Sequence, residues 1–165
     1  MNKQTKLFWI TTAVNIGWIA FMRPYTPKNI IQFELAKTIP VASEIISNWG
    51  AEGVALAKTS IYLDFMFIVL YCSAIMLGCK VCSLFSRKIA LVKVGFILSW
   101  LIWVAGLCDA IENFAMLKTL EEVNQQTISM AFYLATIKFS IVLTGLLFIV
   151  TATLVGFLKP RIKNP

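Results

Sequence analysis

Four apolar stretches dominate this chain, at about residues 7–22, 59–82, 94–117 and 130–158. A helix needs roughly 20 such residues to cross the hydrocarbon of a bilayer. The expected fold is therefore all-α: a polytopic integral membrane protein whose residues 1–165 form a single four-helix transmembrane domain. Composition supports this. Soluble domains are about 45–50% apolar and about 25% charged, whereas this chain is 59% hydrophobic and 14% charged, with a mean hydropathy of +0.80. A soluble fold of this length could not hide that much apolar surface, and no length remains for a separate soluble domain.

The stretches are bounded by recognisable signals. Lys3 and Lys6 precede the first, and Arg23-Pro24 closes it. No small-x-small cleavage site follows, so it reads as a retained helix rather than a signal peptide. It is short, which suggests a helix running past Lys6. Residues 24–53 form an outer capping segment punctuated by Pro24, Pro27 and Pro40. Within it Val41, Ile45 and Trp49 recur at four-residue spacing among polar neighbours, which predicts a short amphipathic helix ended by Gly50 and lying along the membrane surface or over the bundle. The second helix is expected to begin near Gly53, ahead of its apolar core. A basic link (Arg87, Lys88, Lys93) joins the second and third stretches. A polar loop over 118–129 joins the third and fourth, and a basic tail ends the chain.

Net charge is +7, but the basic residues flank apolar stretches, so they indicate orientation and not nucleic-acid binding. The N-terminus, the 80–93 link and the tail hold nine basic residues, the opposite side five, and Lys138 lies within a stretch. Both termini are thus expected in the cytoplasm of a cell (inner) membrane. Five of the eight acids lie in the outer segments and the other three lie inside the stretches.

Those three acids are the most informative residues. Asp64, Asp109 and Glu112, together with Lys138, sit well inside hydrocarbon-length segments, where charges are costly and usually have a task. At 1.5 Å per residue all four fall roughly 7–12 Å below the outer boundary. Antiparallel neighbours bring them to one level, with Asn15 of the first stretch close to it. Asp109, Glu112 and Asn113 stand at i, i+3 and i+4, so they share a face. Ser60, Asp64 and Tyr71 form a stripe, and Gly145 lies on the face of Lys138. Lys138 is expected to pair with Asp109. Three acids and one lysine leave a formal −2, an excess that could take a proton, a metal cation or an amine. A metal here would be held by Asp64, Asp109 and Glu112, and such oxygen-only ligands suit a hard divalent cation such as Mg²⁺ or Ca²⁺. Glu34 stands in the apolar run Phe33-Glu34-Leu35. Its plain reading is a solvated charge on an amphipathic helix, but it becomes a fourth carboxylate if the segment folds back over the bundle.

Other features exclude more than they assign. Histidine is absent, which removes His-based metal sites, Ser-His-Asp and Cys-His catalysis and histidine pH switching. Cys79 and Cys82 form a C-x-x-C, but on the cytoplasmic side, where a disulfide is disfavoured. Gly95 and Ser99 form a small-x-x-x-small pair, read as a helix contact or as the seam of a homo-oligomer. No Walker loop, G-x-S-x-G or Rossmann fingerprint occurs.

Three functions fit this pattern. The first is binding or passage of a small ligand or cation at an outward-side acidic pocket, with Asp64, Asp109 and Glu112 as acceptors, Lys138 orienting, and Asn113, Asn15 and Glu34 contributing. The second is a membrane enzyme acting on a lipid or other membrane-borne substrate by carboxylate general acid/base chemistry, in which Asp64, Asp109, Glu112 and Lys138 would be catalytic. The third is a structural or assembly subunit whose polar layer is interhelical glue.

Overall fold

The computed structural model describes residues 3–158. Among them 92% are helical and none is in a strand, so the all-α expectation holds. The elements are α1 (Lys3–Met22), a 3₁₀ turn (Arg23–Tyr25), α2 (Ile30–Glu34), α3 (Ile39–Ser86), α4 (Ile89–Glu121) and α5 (Gln125–Leu158). Three of these, α3, α4 and α5, are long and apolar enough to cross a membrane. In α1, of 20 residues, Lys6, Asn15 and three threonines dilute the apolar run. The basic tail used in the orientation count lies outside the described residues.

Connections are shorter than the sequence suggests. The polar loop expected over 118–129 is mostly helix: α4 continues to Glu121 and α5 starts at Gln125. The helical hydrogen bonds of a polar turn cost little to extend beyond the apolar core, so polarity alone overstates the loop. The break expected at Gly50 is present, with φ 60° and ψ −171°, a region open in practice to glycine alone. The chain re-enters helix at once, so two helices meet across a kink at Gly50 and are taken together as α3. Of the three residues expected on the apolar face before Gly50, Ile45 is buried and Trp49 half-buried, but Val41 is exposed and Ala42 takes its place.

Contacts fix the directions. Cys72 against Ile102 and Ser83 against Gly95 make α4 antiparallel to α3. Thr119 against Thr127 and Ile102 against Gly145 make α5 antiparallel to α4. Phe8 meets Gly78 while Thr26 meets Ser60, so α1 runs antiparallel to α3. Helices α3, α4 and α5 pack mutually, whereas α1 lies along α3 and hardly touches α5.

Two apolar cores result. One, toward the 86–89 turn, gathers Ile68, Cys72, Ile75, Cys79, Ile102 and Phe148. The other, toward the 122–124 turn, gathers Phe33, Ile45, Ile61, Met116, Ile128 and Ala131. The second contains the capping segment, which is tied down at both ends. Trp49 Nε1 donates to Lys28 O at 2.7 Å, and Gln125 Nε2 donates to Lys37 O at 2.9 Å. These ties bring α2 back over the bundle.

Cys79 and Cys82 are buried along a continuous helix with free thiols, so the C-x-x-C contributes packing here. The Gly95–Ser99 pair serves the α3–α4 seam. A Cβ on Gly95 would meet Ser83 Cβ at 2.6 Å and the Cys79 carbonyl oxygen at 2.8 Å. Because one obstacle is backbone, Gly95→Ala should cost about 1–3 kcal/mol, read as a lowered thermal midpoint in detergent. An unchanged midpoint would mean that the seam is looser than this.

Candidate functional site: a carboxylate cluster around Lys138

Between the two apolar cores lies a polar layer. Lys138 of α5 is buried at 6% exposure and stands at its centre. Its Nζ is 2.6 Å from Asp109 Oδ1, 3.0 Å from each Glu112 carboxylate oxygen and 3.3 Å from Glu34 Oε2. The Phe139 ring adds a cation–π contact at 5.0 Å. An ammonium has three protons, and here it faces three carboxylates. Glu112 Oε2 and Glu34 Oε2 stay within ion-pair range but receive no hydrogen bond.

Each acid has its own surroundings. Asp109 is fully engaged, because Tyr71 Oη donates to its Oδ2 at 2.9 Å while Lys138 holds its Oδ1. Glu112 is completely buried beneath Lys138. Asp64 lies beyond the ammonium's hydrogen-bond reach and accepts one bond, from Asn113 Nδ2 at 2.8 Å. Its other oxygen has no hydrogen bond among the described residues. Glu34 approaches from α2 with its side chain 13% exposed. Asn15 of α1 is 8% exposed and makes no hydrogen bond with a described residue.

The layer expected from the sequence therefore assembles, including the Lys138–Asp109 pair and the shared face of Asp109, Glu112 and Asn113. The solvated reading of Glu34 is corrected: the capping segment folds back and makes it a fourth carboxylate at Lys138. Counting it, the layer holds four carboxyl groups and one ammonium, and its formal charge is −3. Tyr71 belongs to the cluster as well. It stands on the Ser60–Asp64 stripe and two turns below Asp64, which was the available signal. Among the described residues no three of His, Cys, Asp and Glu are arranged to hold a metal ion. Of the trio Asp64, Asp109 and Glu112, the Lys138 ammonium already holds Asp109 and Glu112, and Asp64 is bonded to Asn113.

Two cavities meet at the cluster. One, of about 530 Å³, is lined by Asn15, Glu34, Asp64, Tyr71, Asp109 and Lys138 at its polar end and by α1 and α5 side chains beyond. The other, of about 730 Å³, lies beneath the capping segment and is lined by Arg23, Thr26, Ser60 and Asn113 among others. Glu34 and Asp64 line both. No family model matches the chain, no curated protein matches its sequence, and no solved structure matches it.

Burial pushes the Glu34 carboxyl above its ordinary 4.5; the Lys138 ammonium offsets part of this and Asp109 repulsion adds to it. A carboxyl with a raised value in the folded state costs nothing below its unfolded value. Stability is then lost as pH rises from there through the raised value. Glu34→Gln removes that loss. The thermal midpoint of the variant should thus gain on that of the parent as pH rises above the ordinary carboxyl value of 4.5. Parallel curves across that range would show that Glu34 carries no such penalty.

Proposed function

We propose that the chain is a four-span protein of the cell (inner) membrane that binds or passes a small cationic ligand at an acidic pocket on its outer side. In this reading α1 crosses alongside the three longer helices, the capping segment covers the outer end, and both termini face the cytoplasm. Its support is the alternating direction of the four helices, the 20-residue length of α1 and the basic residues Lys6, Arg87, Lys88 and Lys93 gathered at one end. A fluorescent reporter at the C-terminus should be active in cells, and an alkaline phosphatase inserted at 122–124 should also be active. The reverse pattern would invert the topology.

One observation carries the functional reading. Asp64 and Glu34 line two adjoining cavities, and Asp64 keeps one oxygen without a hydrogen bond, in a cluster of four acids and one lysine whose formal charge is −3. Such an excess in a poorly solvated site favours uptake of positive charge. Asp109, Glu112, Tyr71 and Lys138 are mutually paired instead, and their role is to hold helices in register. The polar layer thus divides into a structural half and a ligand half.

Purified protein titrated with methylamine, ammonium, Na⁺ and Mg²⁺ tests this. At saturating ligand, at least one cation should raise the thermal midpoint by roughly 5–10 °C. Asp64→Asn combined with Glu34→Gln should abolish the shift while the variant still unfolds cooperatively. A shift that survives in that variant, or none with any cation, removes the reading.

A further inference from the structure

The 530 Å³ cavity is a groove as well as a pocket. Because α1 packs on α3 and hardly on α5, a gap runs between α1 and α5 with Ala74 and Ile75 of α3 as its floor. Its walls are hydrocarbon: Phe8 and Ile16 from α1, and Val142, Leu146 and Ile149 from α5. The charged groups gather at one end, and along the body Thr12 spends its hydroxyl on the Phe8 carbonyl. The shape is that of a slot with a charged head and an apolar body.

Asn15 marks the head independently of the acids. The residue is more than nine-tenths buried and lines the groove, and its amide lacks a hydrogen bond with any described residue. An unpartnered amide in such surroundings costs free energy unless something bonds to it. The other cavity offers a cation a poorer approach, since Arg23 lines it. A ligand arriving along the groove avoids that charge.

We propose that the groove between α1 and α5 holds a single-chain amphiphile with a primary ammonium head, bound by Asp64, Glu34 and Asn15. This rests on the reading of the acidic cleft as a cation site. The head is matched by count: three N–H donors meet an Asp64 oxygen, a Glu34 oxygen and the Asn15 carbonyl. The chain lies along Ile16, Val142, Leu146 and Ile149, and entry is sideways from the bilayer, not from water. A bare metal cation would leave the apolar body of the groove unused.

The test uses the full chain in phosphatidylcholine nanodiscs and labelled dodecylamine, with empty nanodiscs subtracted. Methylamine and dodecanol serve as the head-only and chain-only probes. Dodecylamine should bind saturably and at least about tenfold more tightly than either, the scale of a lost charged hydrogen bond. Asn15→Leu should weaken dodecylamine by about tenfold. Val142→Trp, which fills the slot, should block dodecylamine and leave the methylamine thermal shift intact. If methylamine binds as tightly as dodecylamine, the amphiphile is wrong and the cation site stands. If dodecanol matches dodecylamine, or neither amine exceeds empty nanodiscs, both the amphiphile and the cation site fall. The comparison of the three probes on the unaltered protein needs no variant to fold.

Discussion

The Lys138 ammonium is the point on which the bundle depends. It comes from α5 and is gripped by Asp109 and Glu112 of α4 and by Glu34 of α2, at 2.6 to 3.3 Å. Tyr71 of α3 closes the set through Asp109. One buried cation thus joins four elements that are far apart in sequence. A buried charge left without its partner is strongly destabilising, so any slip of α5 against α4 by one residue is penalised. Apolar packing alone would not impose this, because leucine and isoleucine surfaces tolerate small shifts. The two apolar cores on either side supply bulk contact, and the ion cluster between them supplies register.

The same cluster explains why α1 stands apart. The mutual faces of α3, α4 and α5 are closed by small residues, with Gly95 against Ser83, Gly106 against Cys72 Sγ and Gly145 against Ile102 and Ile75. Helix α1 contributes no charge to the layer and no close small-residue seam to α5. It meets the bundle through α3, with Phe8 over Gly78 at one end and Thr26 near Ser60 at the other. The α1–α5 side is left as a groove whose head is the unpaired half of the polar layer.

Much of this was legible in the sequence, and the reasons for the exceptions are physical. Depth counting placed Asp64, Asp109, Glu112 and Lys138 at one level because helix rise is constant and short turns force antiparallel neighbours. Helical spacing put Asp109, Glu112 and Asn113 on one face for the same reason. Glu34 was harder. Its place depends on Asn29 in a left-handed conformation, on the Trp49–Lys28 hydrogen bond and on Gln125 reaching Lys37. None of these long-range ties has a local signature. Val41 is exposed while Ala42 is buried, because Ala42, Ile45 and Trp49 also lie within one helical stripe and that stripe is the one turned to the bundle. Asn15 was placed by depth, but its lack of a partner could only be seen in three dimensions.

The location of the acid excess bears on the kind of ligand the proposal names. Had the surplus carboxylates served a water-borne cation, the expected site is the cavity beneath the capping segment, nearest to the end of the bundle. That cavity carries Arg23, which opposes a cation. Asp64 and Glu34 instead stand where it joins the apolar groove. Charge at one end of a hydrocarbon slot attracts a molecule with a positive head and a body soluble in lipid. Each half of that molecule answers a different feature of the groove, and the unpartnered Asn15 amide lies at the head, where the ammonium would need a third acceptor.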